Sequence, residues 1–326
     1  MRLIDLHTDW PLQYAAESTT YGPAPYADVT SRSGQAEGYL GATSAAVVSC
    51  YRRADDWAGR HDPWLVLADL IARIEAEFAG RLLRDPADLP PWRDEPDALA
   101  WALIGVEGFD YLIRSESDLD RLPDLWRRGV RLFQPTYSPT SLLAGSSVPG
   151  DDRGLLDLGR LFLDRLASLA DASRPILDLA HLNPLAMAAV LDWLEAHPDR
   201  LLVAYSHGAL VRDGFAPPRA ITRDNLARLR SLGGTIGLGV SPPFYTDPDQ
   251  VRLDIETAAS LPFLGHAGYD GIAIGTDFLG VSSTLPALGN AEAVVAWIGR
   301  TFPPDVAERI ASGNARSLIE RAVGPP

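Results

Sequence analysis

Lysine is absent from this chain: all 29 basic residues are arginine, set against 43 acidic ones, for a formal net charge of −14. So acidic a balance argues against a nucleic-acid surface, which needs clustered basic side chains. It reads instead as a solvated, solubilising exterior. Cysteine is nearly absent too. Cys50 stands alone, so no intrachain disulfide can form and cysteine usage implies nothing secretory. Long apolar runs are also missing, and none approaches the roughly 18 residues of a membrane span. The opening run is too short for a signal peptide and is broken by Asp5. The tail RSLIERAVGPP lacks the hydrophobic end of a lipid-anchor signal. The expectation is a soluble, cytoplasmic protein with neither a membrane nor a nucleic acid as partner.

What is present is material for a large core. Of the 326 residues, 46% are hydrophobic, and the mean hydropathy is −0.02. Short apolar, β-rich runs occur at 2–6, 44–50, 101–106, 130–134, 175–179, 201–206, 234–240 and 271–276. They are nearly continuous rather than alternating, as parallel strands buried on both faces are. Amphipathic segments at 63–80, 155–173 and 183–198 lie between them, the last opening with Asn183 as N-cap and Pro184 at the first helical position. Strand alternating with helix eight times predicts an α/β fold, a (β/α)8 TIM-like barrel forming one domain over 1–326. A doubly wound open sheet is the alternative. Residues 10–43 and 136–154 read as long Pro/Gly/Ser-rich loops, a common seat of function.

The polar residues fall where such a barrel assembles chemistry. His7 and Asp9 follow the first run, Glu107 the third, His181 the fifth, His207 the sixth and Asp277 the eighth. Any one of these alone is ordinarily a structural hydrogen bonder; five strand ends converging on one rim are another matter. Residues two apart on a strand share a face, so His7 and Asp9 can bind one cation. Three histidines and two carboxylates exceed what one tetrahedral zinc with an open position takes. They suit two metals about 3.5–4 Å apart sharing a bridge. Without lysine there can be no carbamylated-lysine bridge of the kind several barrels use, which leaves Glu107 as the natural one. Asp5 is expected to orient a metal-bound imidazole from behind, and Asp178 to play a similar supporting part. His61, His197 and His266 read as structural.

These motifs resemble the membrane (renal) dipeptidase family. DLHTDWP (5–11) is similar to its DGHNDLP-type opening, GVEGF (105–109) to GVEGG, DLAHLN (178–183) to DLSHVS and YSHG (205–208) to FSHS. TRDNL (222–226) resembles an RN-x-x-D segment, GTDFLG (275–280) resembles GSDFDG, and ERIASGNARSL (308–318) the closing GGN-x-LR motif. The resemblance implies a dinuclear zinc barrel enzyme that hydrolyses small dipeptides, and implies a homodimer. Carried over, His7 and Asp9 would hold one Zn²⁺ and His181 and His207 the other, with Glu107 bridging. Arg223 would receive the substrate carboxylate. Asp277 would take the proton of the attacking water, or hold the substrate amino group, and then protonate the leaving amine. Where the family often carries a histidine after the fourth strand this chain has Tyr137, a neutral donor to an oxyanion. Trp10 replaces the usual leucine and is expected to narrow the pocket, while Phe278–Leu279 replaces an acidic residue with an apolar one. These departures leave two alternatives open. One is hydrolysis of another amide, a lactam or a dipeptide-like conjugate; the other is a metal-stabilised binding protein without turnover.

Overall fold

The eight apolar runs become eight parallel strands in a computed structural model that describes residues 1–12, 33–51, 62–94, 99–242 and 244–324. They are β1 (Leu3–Thr8), β2 (Thr43–Cys50), β3 (Trp101–Glu107), β4 (Val130–Gln134), β5 (Ile176–Asp178), β6 (Leu202–Tyr205), β7 (Thr235–Leu238) and β8 (Ile272–Ile274). Strand order follows the sequence, β1 through β8. The two edges meet just past β8, where Thr8 pairs with Phe278 and the Asp9 amide donates to the Phe278 carbonyl at 2.9 Å. This is the expected (β/α)8 barrel.

The longer helices are α1 (Pro63–Glu77), α2 (Asp157–Ala167), α3 (Pro184–Ala196), α4 (Arg223–Ser231), α5 (Pro248–Ala259), α6 (Ala291–Thr301) and α7 (Asn314–Val323). Five of these starts carry a side-chain cap: Asp62, Asn183, Thr222, Asp247 and Asn290 each accept a backbone N–H of the first turn, three of them with proline just inside. The expected loop over 10–43 is interrupted by short helices at Ser33–Ala36 and Tyr39–Ala42, and its residues 13–32 lie outside the described set. His61 lies outside it as well. Among the described residues no helix is long and apolar enough to cross a membrane.

Two apolar layers hold the barrel. Outside it, helices α1 to α6 bury their faces against the strands. Inside it, Ile4, Leu6, Val47, Leu103, Leu132, Ile176 and Ala204 fill the lower barrel. Helix α7 closes that end by adding Ala315, Leu318, Ile319 and Ala322 to the same cluster. The other end is left to polar groups.

Candidate metal centre

The strand ends deliver His7, Asp9, Glu107, His181, His207 and Asp277 to one buried spot at the C-terminal rim. His7 Nε2 lies 3.2 Å from Glu107 Oε2, 3.7 Å from Asp9 Oδ1 and 3.9 Å from Asp277 Oδ1. The other Glu107 oxygen, Oε1, is 3.0 Å from His181 Nε2 and 3.8 Å from His207 Nε2, and those two nitrogens are 3.1 Å apart. Glu107 therefore turns one oxygen to each of two groups. His7 with Asp9 forms one, His181 with His207 the other.

Local irregularities aim these side chains. In β1, Asp5 pairs with Ala46 but Thr8 pairs with Val48, so three residues oppose two and the alternation breaks. A bulge of this kind re-aims a side chain: Leu6 packs in the barrel interior, and its neighbour His7 also reaches the interior cluster. His181 and Asp277 adopt left-handed backbone at φ 64° and 57°. Each costs of order 1–3 kcal/mol and persists only where the surroundings fix it. The His181 carbonyl is fixed by the Ser147 amide at 2.7 Å, and the Asp277 amide donates to the His7 carbonyl at 3.0 Å. Gly280 answers a different need, since a Cβ there would lie 2.0 Å from Asp9 Oδ2 and 2.3 Å from Asp277 Oδ1.

Behind the cluster sit hydrogen bonds that set the rings. Ser206 Oγ donates to Asp178 Oδ2 at 2.5 Å and stands 2.8 Å from His207 Nδ1. With its proton given to Asp178, the hydroxyl accepts from His207 Nδ1, leaving Nε2 as a lone pair toward Glu107 and His181. Asp178 thus supports an imidazole as expected, with Ser206 as intermediary. Asp5 does something other than expected. Its carboxylate accepts the His7 amide at 3.2 Å, the Thr276 amide at 2.9 Å and hydroxyl at 2.6 Å, and the Tyr39 hydroxyl at 2.7 Å. It locks the backbone where β1 meets β8, while the His7 ring itself faces Ser49 Oγ at 3.2 Å through Nδ1. The broken alternation turns Asp5 off the His7 face.

The electrostatics separate the imidazoles. Burial, reinforced by Arg219, pushes His181 down to about 4. Burial, with His7 and Arg219, also holds His207 well below its usual range. Both are neutral near pH 7, the form that donates a lone pair. Burial alone would push Glu107 up, but His7 and His181 reverse this and keep it an anion. His7 is held up by the Glu107 and Asp9 carboxylates against its own burial.

The proposed substrate residues divide. Tyr137 is at the cluster: its ring lies 4.3 Å, centroid to centroid, from that of His181, and 4.7 Å from Tyr51. Burial raises its phenol to about 12, and the Asp110 carboxylate holds its amide at 2.8 Å. Trp10 is packed away instead, stacked on Tyr39 at 5.3 Å with its indole N–H on Glu77 at 3.0 Å. Phe278 and Leu279 are buried in the same layer. Arg223 is exposed at the first position of α4. Thr222 caps that helix, so the next side chain points outward. Among the described residues the guanidinium at the cluster is Arg219, four residues earlier in the β6–α4 loop. One terminal nitrogen is 3.5 Å from Asp277 Oδ2, and its buried Nε has no partner. The Tyr205 hydroxyl fixes the Arg219 carbonyl at 2.5 Å, passing through the space that Gly208 leaves open. Sequence reasoning missed Arg219, although a capped helix start at Thr222 places the rim loop before that residue. It also missed Gln134, which pairs with Glu107 in register and has a buried, unpartnered Oε1. His197 is structural as read, its Nδ1 on the Trp193 carbonyl at 2.8 Å, and His266 is an exposed loop residue. The closing motif is structural too: Asn314 donates to the carbonyls of Tyr269 and Ile272 at 2.8 and 2.7 Å.

The cluster fits divalent metal. His7 Nε2, Asp9 Oδ1 and Glu107 Oε2 are all buried without a hydrogen-bond partner and face one another, an arrangement that calls for a cation. Imidazole with carboxylate is the donor set of zinc-like ions. Barrel and donor set together define a barrel metallohydrolase. The family described as Membrane dipeptidase (Peptidase family M19) matches residues 1–303. The chain belongs to that family, and it is a metallo-dipeptidase by class. No curated protein matches the sequence significantly. Among solved structures, the chain is similar to a metallopeptidase from Rhodobacter sphaeroides liganded with a phosphinate mimic of the dipeptide L-Ala-D-Ala, at 18% identity, TM-score 0.72 and 99% coverage of both chains. It is equally similar to a metallopeptidase described as dipeptidase AC, again at 18%, 0.72 and 99% of each chain. A probable dipeptidase, PvdM, from Pseudomonas aeruginosa follows at 16% identity and TM-score 0.67, with 87% of each chain covered.

Proposed function

We propose that this metallo-dipeptidase works with two divalent ions, zinc by the character of the donor set, on small dipeptides bearing a free carboxylate. His7 and Asp9 would hold one ion, His181 and His207 the other, with Glu107 shared. The observation that carries this reading is the placement of the two Glu107 oxygens, one against each group. Ions bound there supply an acidified water at neutral pH and a Lewis-acid pull on the scissile carbonyl.

The chain's own residues do the remaining work. Arg219, with an unpartnered buried Nε, presents a planar fork to the substrate carboxylate and so sets the distance to the scissile bond. Asp277, whose carboxyl is raised by burial against the pull of Arg219, accepts the proton of the attacking water and returns it to the leaving amine. Tyr137, neutral at working pH, donates to the carbonyl oxygen as charge builds there. The hydrogen bonds that fix the left-handed backbone at His181 and Asp277 hold these groups ready before substrate arrives.

The test is metal content measured alongside hydrolysis of a panel of L,L and L,D dipeptides and N-acyl amino acids. Two metals per chain with dipeptide turnover support the proposal. Protein that carries no divalent metal, and gains no dipeptide hydrolysis when zinc is added, overturns it. Turnover confined to the acylated compounds would move the chain to another amide.

A further inference from the structure

At the end of the barrel opposite the metal centre lies a second cavity, of about 300 Å³, between the starts of β5, β6 and β7 and helix α7. Leu194, Leu232 and Leu264 give it apolar walls, and its ionisable lining is Arg174, Arg321, His197 and, at the exposed edge, Asp199. Arg321 is carried on α7, whose opposite face is sealed into the barrel interior. The helix therefore holds the guanidinium at a fixed depth.

That guanidinium is poorly satisfied. It donates two long hydrogen bonds, 3.3 Å to the Ser317 carbonyl and 3.4 Å to that of Gly233. Among the described residues no carboxylate pairs with it. Burial, followed by the like charge of Arg174, pushes its pKa down. Arg174 is itself weakly held, 3.5 Å from an Asp199 carboxylate whose side chain is 94% exposed. An adjoining cavity also reaches Arg321, but its Asp270 is already paired with Arg309 at 3.1 Å. Elsewhere in this chain arginines meet carboxylates closely: Arg153, Arg212 and Arg228 do so at 2.6–2.7 Å. Arg321, half-buried beside a hollow in a protein of net charge −14, meets no such carboxylate among the described residues and donates only to two distant carbonyls. A partly buried charge without a partner is unfavourable unless something neutralises it.

We propose that this cavity binds a small organic anion with a phosphate-type head. The head lies between Arg174 and Arg321, and the apolar body rests against the leucines. A phosphate monoester carries about −1.5 to −2 charges at pH 7 and three acceptor oxygens, which matches two guanidinium forks. The volume is at the low end of small-molecule sites and exceeds what a bare inorganic ion fills. The site is on the stabilising face of the barrel, remote from the reacting groups, so its ligand is an effector rather than a substrate.

The test is calorimetric titration of the metal-loaded enzyme with inorganic phosphate, phenyl phosphate and succinate. Phenyl phosphate should bind at least about 10-fold tighter than inorganic phosphate, through its apolar body. Arg321→Gln and Arg174→Gln should each weaken it about 10-fold or more, and Leu264→Glu should abolish binding by adding a second carboxylate to Asp199 at the mouth. Dipeptide kcat/KM should stay within about two-fold of wild type in all three. Absence of phenyl phosphate binding overturns the proposal. So does binding that survives all three substitutions, which would put the anion at the metal centre. Succinate binding in preference to both phosphates overturns the phosphate head. Should Arg321→Gln fail to fold, Arg174→Gln and Leu264→Glu decide, since Leu264 is exposed and Arg174 holds no buried hydrogen bond.

Discussion

The two ends of this barrel are built on opposite terms. At the base, α7 packs Leu318, Ile319 and Ala322 against Ile4, Leu6 and Ile176, all fully or nearly fully buried and all apolar. At the rim, an equally buried layer holds three imidazoles and three carboxylates, unpartnered donor and acceptor atoms, and three non-glycine residues in left-handed backbone, His181, Asp277 and Leu279. Depth of burial does not distinguish them; the polarity of what is buried does. Strain and uncompensated charge at the rim persist because the rest of the barrel over-determines the strand ends. Substitutions at the rim should therefore remove function and spare stability, and substitutions at the base should do the reverse.

The sharpest break is Glu107→Gln. It removes the carboxylate that faces both groups, so on the proposed two-ion reading metal per chain should drop and kcat/KM should fall by about 1,000-fold or more. The melting temperature of the metal-free protein should change little, because the loss of a buried charge is offset by the loss of its pairing with His7 and His181. Full activity with both metals retained would show that Glu107 is no bridge. Its counterpart at the base is Leu318→Ala. The side chain is fully buried, so denaturant unfolding should show a loss of about 2–5 kcal/mol, with kcat per folded molecule unchanged. A fall in kcat would mean that the two ends are coupled.

Within the rim, Arg219 and Arg223 offer a finer contrast. Arg219→Met should raise KM for dipeptides about 10–100-fold, the usual cost of losing a charged hydrogen bond, and leave N-blocked, C-amidated analogues no worse. Arg223→Met should change neither parameter, since that side chain is exposed on α4. Equal effects from the two would return the carboxylate role to Arg223.

The contrast between the ends also explains what the sequence made legible. Continuous apolar runs encode burial on both faces, so all eight strands could be read within a residue or two of their bounds. Asn183 and Pro184 start α3 as their residue types require, with the Ala186 amide on the Asn183 side chain at 2.7 Å. The candidate donor set was legible because each member lies within three residues of the C-terminal end of a strand. What escaped depends on irregular backbone. The bulge in β1 carries no residue signature, and it is what diverts Asp5 from the His7 ring to the backbone. Arg219 lies in a loop whose path is set by a hydroxyl–carbonyl bond from Tyr205, a contact between residues 14 apart. Trp10 was expected at the pocket, yet its partners Tyr39 and Glu77 come from the next strand's approach and from α1. Proximity in sequence to His7 and Asp9 did not decide where its ring went.

The smallest expected effect concerns the support beneath Tyr137. Asp110 is fully buried and accepts the amides of Tyr137 and Ser138 at 2.8 and 3.0 Å. Burial nevertheless pushes its carboxyl up to about 7, with those two bonds pulling the other way. Between the ordinary aspartate value of about 4 and about 7, the unfolded chain has released this proton while the folded one retains it. The unfolded state binds fewer protons, so this group makes stability fall as pH rises through that window. Asp110→Asn removes the titration. It also leaves one amide facing an NH₂ instead of an oxygen, at a roughly pH-independent cost of about 1–2 kcal/mol. The stability gap between wild type and Asp110→Asn should therefore narrow from pH 4.5 to pH 8, by a few degrees at most in melting temperature. Because the loop carries Tyr137, the variant should lose a few-fold in kcat with KM little changed. A gap that widens with pH would mean that Asp110 is held as an anion, and that the Tyr137 loop is fastened by charge as firmly as the metal cluster beside it.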